Sequence, residues 1–292
     1  MPKFSLVVAT LGRDTELKRL FESLKIQDYK DFEVVVVDQN KDDRVKKIVD
    51  EYKEIFDIKH HQVDFVGIGK ARDYGIKHSG GQIIAIPDDD CTYNPDVLSI
   101  AAKKFDETEN LAILSAGSYD IENPEKFGQS INFPFEKKIT KLKPIGIEYT
   151  IFFNISIIKR KELYFDPEFG INAKYKGSEG PELMYRLLSQ GYKGLYTPTI
   201  KIYHKVTIDH QNLQKRYNYA YGDGAFIKKN LLKGDLDVLY YVARNMLYGP
   251  IKNMIKGLLF DRNLFMTNLY LFMGIWAGFF AYKKNKNNIN AQ

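Results

Sequence analysis

The segment Gln82-Ile83-Ile84-Ala85-Ile86-Pro87-Asp88-Asp89-Asp90 is an apolar run that ends in three consecutive carboxylates. A stretch apolar at every position reads as a strand covered on both faces, as in a parallel sheet flanked by helices. In open sheets of that kind the ligand crevice lies beyond the carboxyl ends of the strands. Three acids placed there repel one another unless positive charge sits among them. A divalent cation bridging a diphosphate is the economical solution. The alternative is a solvated acidic loop that caps the next helix.

Three other polar segments fall at expected strand ends or helix starts. Thr10-Leu11-Gly12-Arg13 follows a strand over Phe4–Thr10, and Asp38-Gln39-Asn40 follows a buried strand over Phe32–Asp38. Gly69-Lys70-Ala71-Arg72-Asp73-Tyr74-Gly75 opens a helix over residues 69–79, just before the acidic strand at 82–87. Between them the periodicity predicts a helix capped by Asp14 with Leu17, Leu20, Phe21 and Leu24 on one face, and a polar helix near 44–56. A weaker strand covers 58–63. Asn94-Pro95 supplies a cap and a first-turn proline for a helix through Phe105, and the next strand is 111–116. This alternation predicts an α/β fold with a doubly wound, mostly parallel sheet that begins with the first residues. It brings the four polar segments to one crevice.

From 118 to 144 the pattern dissolves into a long loop or short hairpin. Regular signals return as a strand-like stretch at 148–158, a helix at 181–190 and a strand at 199–204. His204 ends that strand in phase with Ile200 and Ile202, so it faces inward. A lone inward histidine serves either as a satisfied core residue or as a ligand. His60, His61, His78 and His210 fit no motif.

Composition narrows the function classes. The single cysteine, Cys91, excludes an intrachain disulfide framework and a cysteine-based zinc site, and it suits a reducing compartment. Met1-Pro2-Lys3 runs directly into the first strand, so no signal peptide is expected. Residues 201–292 carry 14 Lys/Arg against 5 Asp/Glu, while the net charge of the whole chain is only +6. The basic excess therefore lies in the C-terminal third. Its partner is nucleic acid or an anionic membrane; no nucleic-acid motif is visible, and apolar segments there favour the membrane. Gly67-Ile68-Gly69-Lys70 lacks the glycine gap and the Ser/Thr of a phosphate-binding loop, and no dinucleotide fingerprint follows the first strand.

In the order and spacing of these segments, the chain resembles the family 2 glycosyltransferases with a GT-A nucleotide-sugar-binding fold, over roughly residues 4–206. Ala9-Thr10-Leu11-Gly12 stands where the family has Pro-Thr-x-Asn, and Ala71-Arg72-Asp73-Tyr74-Gly75 matches Ala-Arg-Asn-x-Gly with Asp73 for Asn. Asp88-Asp89-Asp90 matches Asp-x-Asp. The resemblance implies a donor site built from Ala9, Thr10, Gly12 and Arg13, from Asp38 on the nucleobase or ribose, and from Lys70, Arg72, Asp88 and Asp89. Arg72 offers a planar fork of donors to diphosphate or base. The resemblance further implies that Asp90 and His204 hold a divalent metal, Mn2+ or Mg2+, which neutralises charge on the departing diphosphate. Transfer with inversion needs a base. The family's acidic helix start matches Gly177-Ser178-Glu179-Gly180-Pro181-Glu182, with Gly180 in place of the second acid. Glu179 is the preferred base and Glu182 the alternative, or both are partners of the helix N-terminus.

The expected domains are a catalytic one over 1–206 and a helical, membrane-associated one over 207–292. Within the latter, Lys215 to Gly224 resembles a Tyr-Gly-rich helix start of bacterial polysaccharide-type members. Residues 264–282 form a 19-residue apolar run between Arg262 and Lys283-Lys284-Lys286. With 254–260 it lies on a membrane surface; a true span is the alternative. The expected activity is metal-dependent, inverting transfer from a nucleoside diphosphate sugar to a glycan or lipid-linked acceptor, for bacterial surface polysaccharide, at the inner face of the plasma membrane. A nucleotide-sugar-binding protein without catalysis and a nucleotidyltransferase are the rival classes.

Overall fold

A computed structural model describes residues 1–128, 131–206 and 212–283. His210, Lys284 and Lys286 lie outside the described residues. The chain divides into two compact units. The first is Met1–Phe165 with Leu183–Thr207, and the second is Asp166–Glu182 with Ile208–Gln292. The segment Asp166–Glu182, which the sequence reading assigned to the catalytic domain, thus clusters with the C-terminal residues.

In the first unit β1 (Phe4–Thr10), α1 (Thr15–Lys25), β2 (Phe32–Asp38), α2 (Arg44–Tyr52), β3 (Asp57–Gln62), α3 (Ile68–His78) and β4 (Ile83–Ala85) follow one another. Then come β5 (Thr92–Tyr93), α4 (Val97–Glu107), β6 (Leu111–Asp120), β7 (Lys137–Ile139), β8 (Ile151–Asn154), α5 (Glu179–Ser189) and β9 (Lys193–His204), α5 beginning in the second unit. The strands form one sheet in the order β3-β2-β1-β4-β8-β6-β9-β5, with β7 on β9. β1 is parallel to β2 and β4, β2 to β3, and β6 to β9. β8 runs antiparallel between β4 and β6. The sheet is therefore mixed at its centre, and its parallel strands deliver their carboxyl ends to the same side.

Side-chain alternation explains why β1 and β2 are apolar throughout. Leu6, Val8, Val34 and Val36 pack with Leu17, Leu20 and Phe21 of α1 and Val97 and Leu98 of α4. Val7 and Val35 face the opposite layer with Ile76, Leu183, Met184 and Leu187. Each buried side chain of this size contributes about 1.5–3 kcal/mol. Gly75 permits α3 to lie against β1, because a Cβ there would come within 2.3 Å of Val7 Cγ1. The one polar side chain inside β2, Glu33, is fully buried. It accepts from the Ser5 hydroxyl, the Gly80 amide and Lys59.

Several boundaries differ from the sequence expectation. β4 stops at Ala85, before Pro87 removes a ladder donor, so the three acids sit in a turn and not on a strand. Asn94 is not the cap of α4; Asp96 holds that position and accepts a hydrogen bond from the Asn94 amide at 2.6 Å. β9 starts at Lys193, ahead of the expected 199, because a register shift near Pro198 lets the strand continue past a residue with no N–H. The stretch at 148–158 resolves into a 3-10 turn over Glu148–Thr150 and the four-residue β8.

The second unit contains α6 (Leu213–Leu231), α7 (Val238–Tyr241), a π-helical stretch over Val242–Tyr248, α8 (Gly249–Phe260) and α9 (Arg262–Ala281). Asp261 caps α9 by accepting from the Asn263 and Leu264 amides. α6 and α9 meet backbone to backbone. A Cβ at Gly224 would fall 1.8 Å from the Ile275 carbonyl oxygen, and one at Gly278 would fall 1.8 Å from that of Tyr221.

Candidate active site

Asp88, Asp90 and His204 converge at the carboxyl ends of β4 and β9, with one ligand-type atom from each lying within 4.8 Å of the others. The turn that places them is closed by the Cys91 amide donating to the Asp88 carbonyl. It sends Asp88 and Asp90 one way, while Asp89 is buried against Arg13 at 2.6 Å. The same Arg13 nitrogen reaches Asp90 Oδ2 at 2.6 Å, and Arg19 donates to the Asp90 carbonyl.

The His204 ring is held on two sides. It stacks on Tyr149, with centroids 4.7 Å apart and planes 13° apart, and Nδ1 lies 2.8 Å from the Lys205 carbonyl oxygen. A carbonyl oxygen accepts only, so Nδ1 carries the proton and Nε2 is the nitrogen turned toward Asp90. Nε2 lies 3.0 Å from Asp90 Oδ1, an ion-pair contact without hydrogen-bond alignment, because this buried oxygen has no hydrogen-bond partner among the described residues. Burial works against charge on both groups. Their mutual attraction outweighs it, raising His204 above the usual histidine value and, with Arg13, lowering Asp90 below the usual carboxylate value. Two carboxylates, one of them with an oxygen that has no hydrogen-bond partner among the described residues, and an imidazole nitrogen form a set that fits a divalent cation such as Mn2+ or Mg2+.

α3 supplies the neighbouring positive charge. Arg72 is buried, reaches Asp88 at 2.7 Å and lies over the Phe165 ring. Lys70 is exposed above the Phe65 ring. At the end of β2, Asp38 is fully buried: Asn40 donates to it through both its backbone and its side-chain amide, and His60 Nε2 lies 3.0 Å away. Asn40 in turn accepts from the Gly12 amide at 2.7 Å. Thr10 is buried and Ala9 half-buried beside this turn. In this arrangement the Asp38 side chain has no exposed surface.

Asp73, at the position where the family pattern has Asn, accepts from the Phe165 amide at 2.8 Å, and burial pushes its carboxyl up to about 6. Because that value lies above the ordinary one of 3.8, the folded chain keeps a proton the unfolded chain has lost across this window. Stability should therefore fall as pH rises from about 4 to 6. Asp73→Asn keeps the acceptor and removes the charge. It should raise stability at pH 7 by about 1–2 kcal/mol and flatten the pH dependence, as read from chemical denaturation at pH 4, 5.5 and 7.

In the second unit the two candidate bases have different surroundings. Glu182 is buried in an ion pair with Lys229 at 2.6 Å, and Lys229 also contacts Asp166. Glu179 is half-buried at the first position of α5 and has no hydrogen-bond or ion-pair partner among the described residues. The residue before it, Ser178, sits at φ 63° and donates its hydroxyl to the half-buried Asp223, whose carboxyl is raised by desolvation to about 6.

Sequence reasoning missed Tyr149, His60 and Arg19. Tyr149 lies in a stretch that reads as an ordinary buried strand, and only its stacking on His204 reveals it. His60 had a legible signal in strand pairing, since β2 and β3 place it opposite Val36, two residues from the pair Asp38–Gln62.

The sequence profile of glycosyl transferase family 2 matches residues 5–163, more than half of the chain. The chain belongs to this family. Among curated relatives it is 30% identical over 178 residues to the poly(ribitol-phosphate) beta-N-acetylglucosaminyltransferase TarS of Staphylococcus aureus, covering 58% of this chain and 30% of that protein. It is 28% identical over 177 residues to the GalNAc(5)-diNAcBac-PP-undecaprenol beta-1,3-glucosyltransferase of Campylobacter jejuni, covering 58% of this chain and 56% of the relative. The matched region is thus a third to about half of these relatives. Among solved structures, a TarS fragment in complex with UDP superposes with a TM-score of 0.63 at 19% identity, over 93% of this chain and 90% of that one. The mannosyltransferase PcManGT of Pyrobaculum calidifontis, in complex with GDP-Man and Mn2+, gives 0.66 at 16% identity over 94% and 86%. These likenesses establish a GT-A fold.

Proposed function

We propose that the protein transfers a sugar, with inversion and with the help of a divalent metal, from a nucleoside diphosphate sugar to a glycan or lipid-linked acceptor in bacterial surface polysaccharide synthesis. The convergence of Asp88, Asp90 and His204, with a buried Asp90 oxygen that has no hydrogen-bond partner among the described residues, carries this reading. It is supported by a TarS structure in complex with UDP-GlcNAc, by the GDP-Man and Mn2+ of the mannosyltransferase, and by the undecaprenol-linked substrate in the Campylobacter relative's name.

The reading gives each residue a role. Asp88, Asp90 and His204 would hold the cation, which when bound supplies positive charge for the departing diphosphate. Arg72 and Arg13 bring fixed guanidinium groups to the same rim and orient the phosphates. The loop over Asp38, Gln39 and Asn40, pinned to Gly12, shapes the nucleoside end. Glu179 takes the proton of the acceptor hydroxyl as its oxygen bonds the anomeric carbon and the bond from that carbon to the β-phosphate oxygen breaks. Attack opposite the diphosphate inverts the anomeric centre.

A thermal-shift panel of UDP- and GDP-sugars, with and without Mn2+, tests the reading. At least one donor should raise Tm only with the metal present, and a panel with no metal-dependent shift would overturn it. Because His204 must shed its proton to become a ligand, Mn2+ affinity should rise as pH passes its elevated value. Calorimetric titration at pH 6 and pH 8 measures this, and equal affinity at both would remove His204 from the ligand set.

A further inference from the structure

We infer that α8 is an in-plane attachment helix for an anionic lipid surface. Ile251, Ile255, Leu258 and Leu259 follow one another at helical spacing on a face that is exposed, with Leu258 at 74% and Leu259 at 67%. Phe260, at the helix end, is 80% exposed. Leu247 and Tyr248 extend the stripe by a turn, and a groove of about 480 Å³ lies along it. Exposed side chains of this size arranged contiguously mark an interaction surface.

Charge selects the occupant. Lys252 and Lys256 are exposed at one edge of the stripe, and α8 contains no acid. From Val242 to Lys283 the sequence carries five Lys or Arg and one acid, Asp261. A second copy docked on this face would set lysines against lysines with no acid between them. Anionic headgroups instead neutralise the lysines while the stripe enters the acyl boundary. The sequence had placed the membrane contact mainly on 264–282. Among the described residues α9 is the one helix long and apolar enough to span a bilayer, but its Gly274 and Gly278 are packed against α6. α9 also exposes Met273 and Phe280, but α8 carries the longer run of exposed apolar side chains.

Co-sedimentation of the full chain with vesicles of phosphatidylglycerol and phosphatidylethanolamine in equal parts, against vesicles of phosphatidylcholine alone, tests the inference. The native chain should sediment with the anionic vesicles and much less with the neutral ones. The double variant L258S/L259S should partition about 100-fold less, the effect of withholding two leucines from the apolar phase. K252E/K256E should lower binding to anionic vesicles at least about tenfold and leave the weak binding to neutral ones unchanged. Thermal melting identifies any variant that fails to fold. If L258S/L259S does not fold, the lysine variant, altered only at exposed polar positions, decides the matter. Native-like binding by a folded variant, no native binding, or a dimer that L258S/L259S dissolves without changing vesicle binding would each overturn the inference.

Discussion

Glu179→Gln should lower transfer by about 10²–10⁴-fold, the usual contribution of a positioned base, while donor affinity stays unchanged. The substitution keeps the size and shape of the side chain and removes only its capacity to take a proton. Glu179 has no hydrogen-bond or ion-pair partner among the described residues, so no structural contact is lost. The missing interaction is one made as the acceptor hydroxyl ionises, so kcat should fall with little change in donor binding. Glu182→Gln is the control. Its carboxylate is paired with buried Lys229, which keeps Asp166 as a second partner. That variant should lose about 1–3 kcal/mol of stability and retain its rate wherever it is folded. Nucleoside diphosphate release and calorimetric donor binding measure the two effects. A fully active Glu179→Gln would move the base elsewhere, and an inactive but stable Glu182→Gln would move it one turn along α5.

The parts of the fold that were legible are those in which local pattern and tertiary role agree. Phe4–Thr10 and Phe32–Asp38 are apolar on both faces because both faces meet helices, and their bounds were read to the residue. Asp90 and His204 were paired through the family resemblance, with strand phase turning His204 inward; Asp88, assigned to the donor, comes together with them. Strand alternation would also send Asp89 opposite to Asp88 and Asp90, but here a turn sets their directions.

What the sequence hid were features set by distant partners. Pro198 concealed the first half of β9, because the bulge that accommodates it depends on pairing with β6. The antiparallel course of β8 leaves no local signature. Glu182 read as a helix-terminus acid because its partner, Lys229, lies 47 residues away. Glu182 is thus held in a buried ion pair, whereas Glu179 has no hydrogen-bond or ion-pair partner among the described residues.

Asp90→Asn should abolish metal-dependent donor binding, whereas Asp89→Asn should leave it nearly intact. The two residues are adjacent carboxylates, both largely buried and both in contact with Arg13, so their position in the chain does not distinguish them. Direction does. Asp90 presents an oxygen with no hydrogen-bond partner among the described residues to the same space as Asp88 and His204 Nε2, and an amide there offers a weaker, neutral ligand. Losing a ligand should exceed the roughly 100-fold upper figure for losing an outer partner. Asp89 turns its carboxylate to Arg13, which retains Asp90 if Asp89 is neutralised. Burial also holds the Asp89 carboxyl above its usual value despite Arg13, so neutral Asn relieves part of that penalty. Its stability effect should stay within about 1 kcal/mol, as for a pair whose arginine is partly exposed. Donor binding titrated with and without Mn2+ separates the two variants. Equal loss in both would mean that the triplet acts through summed charge, and undiminished binding in Asp90→Asn would remove it from the ligand set.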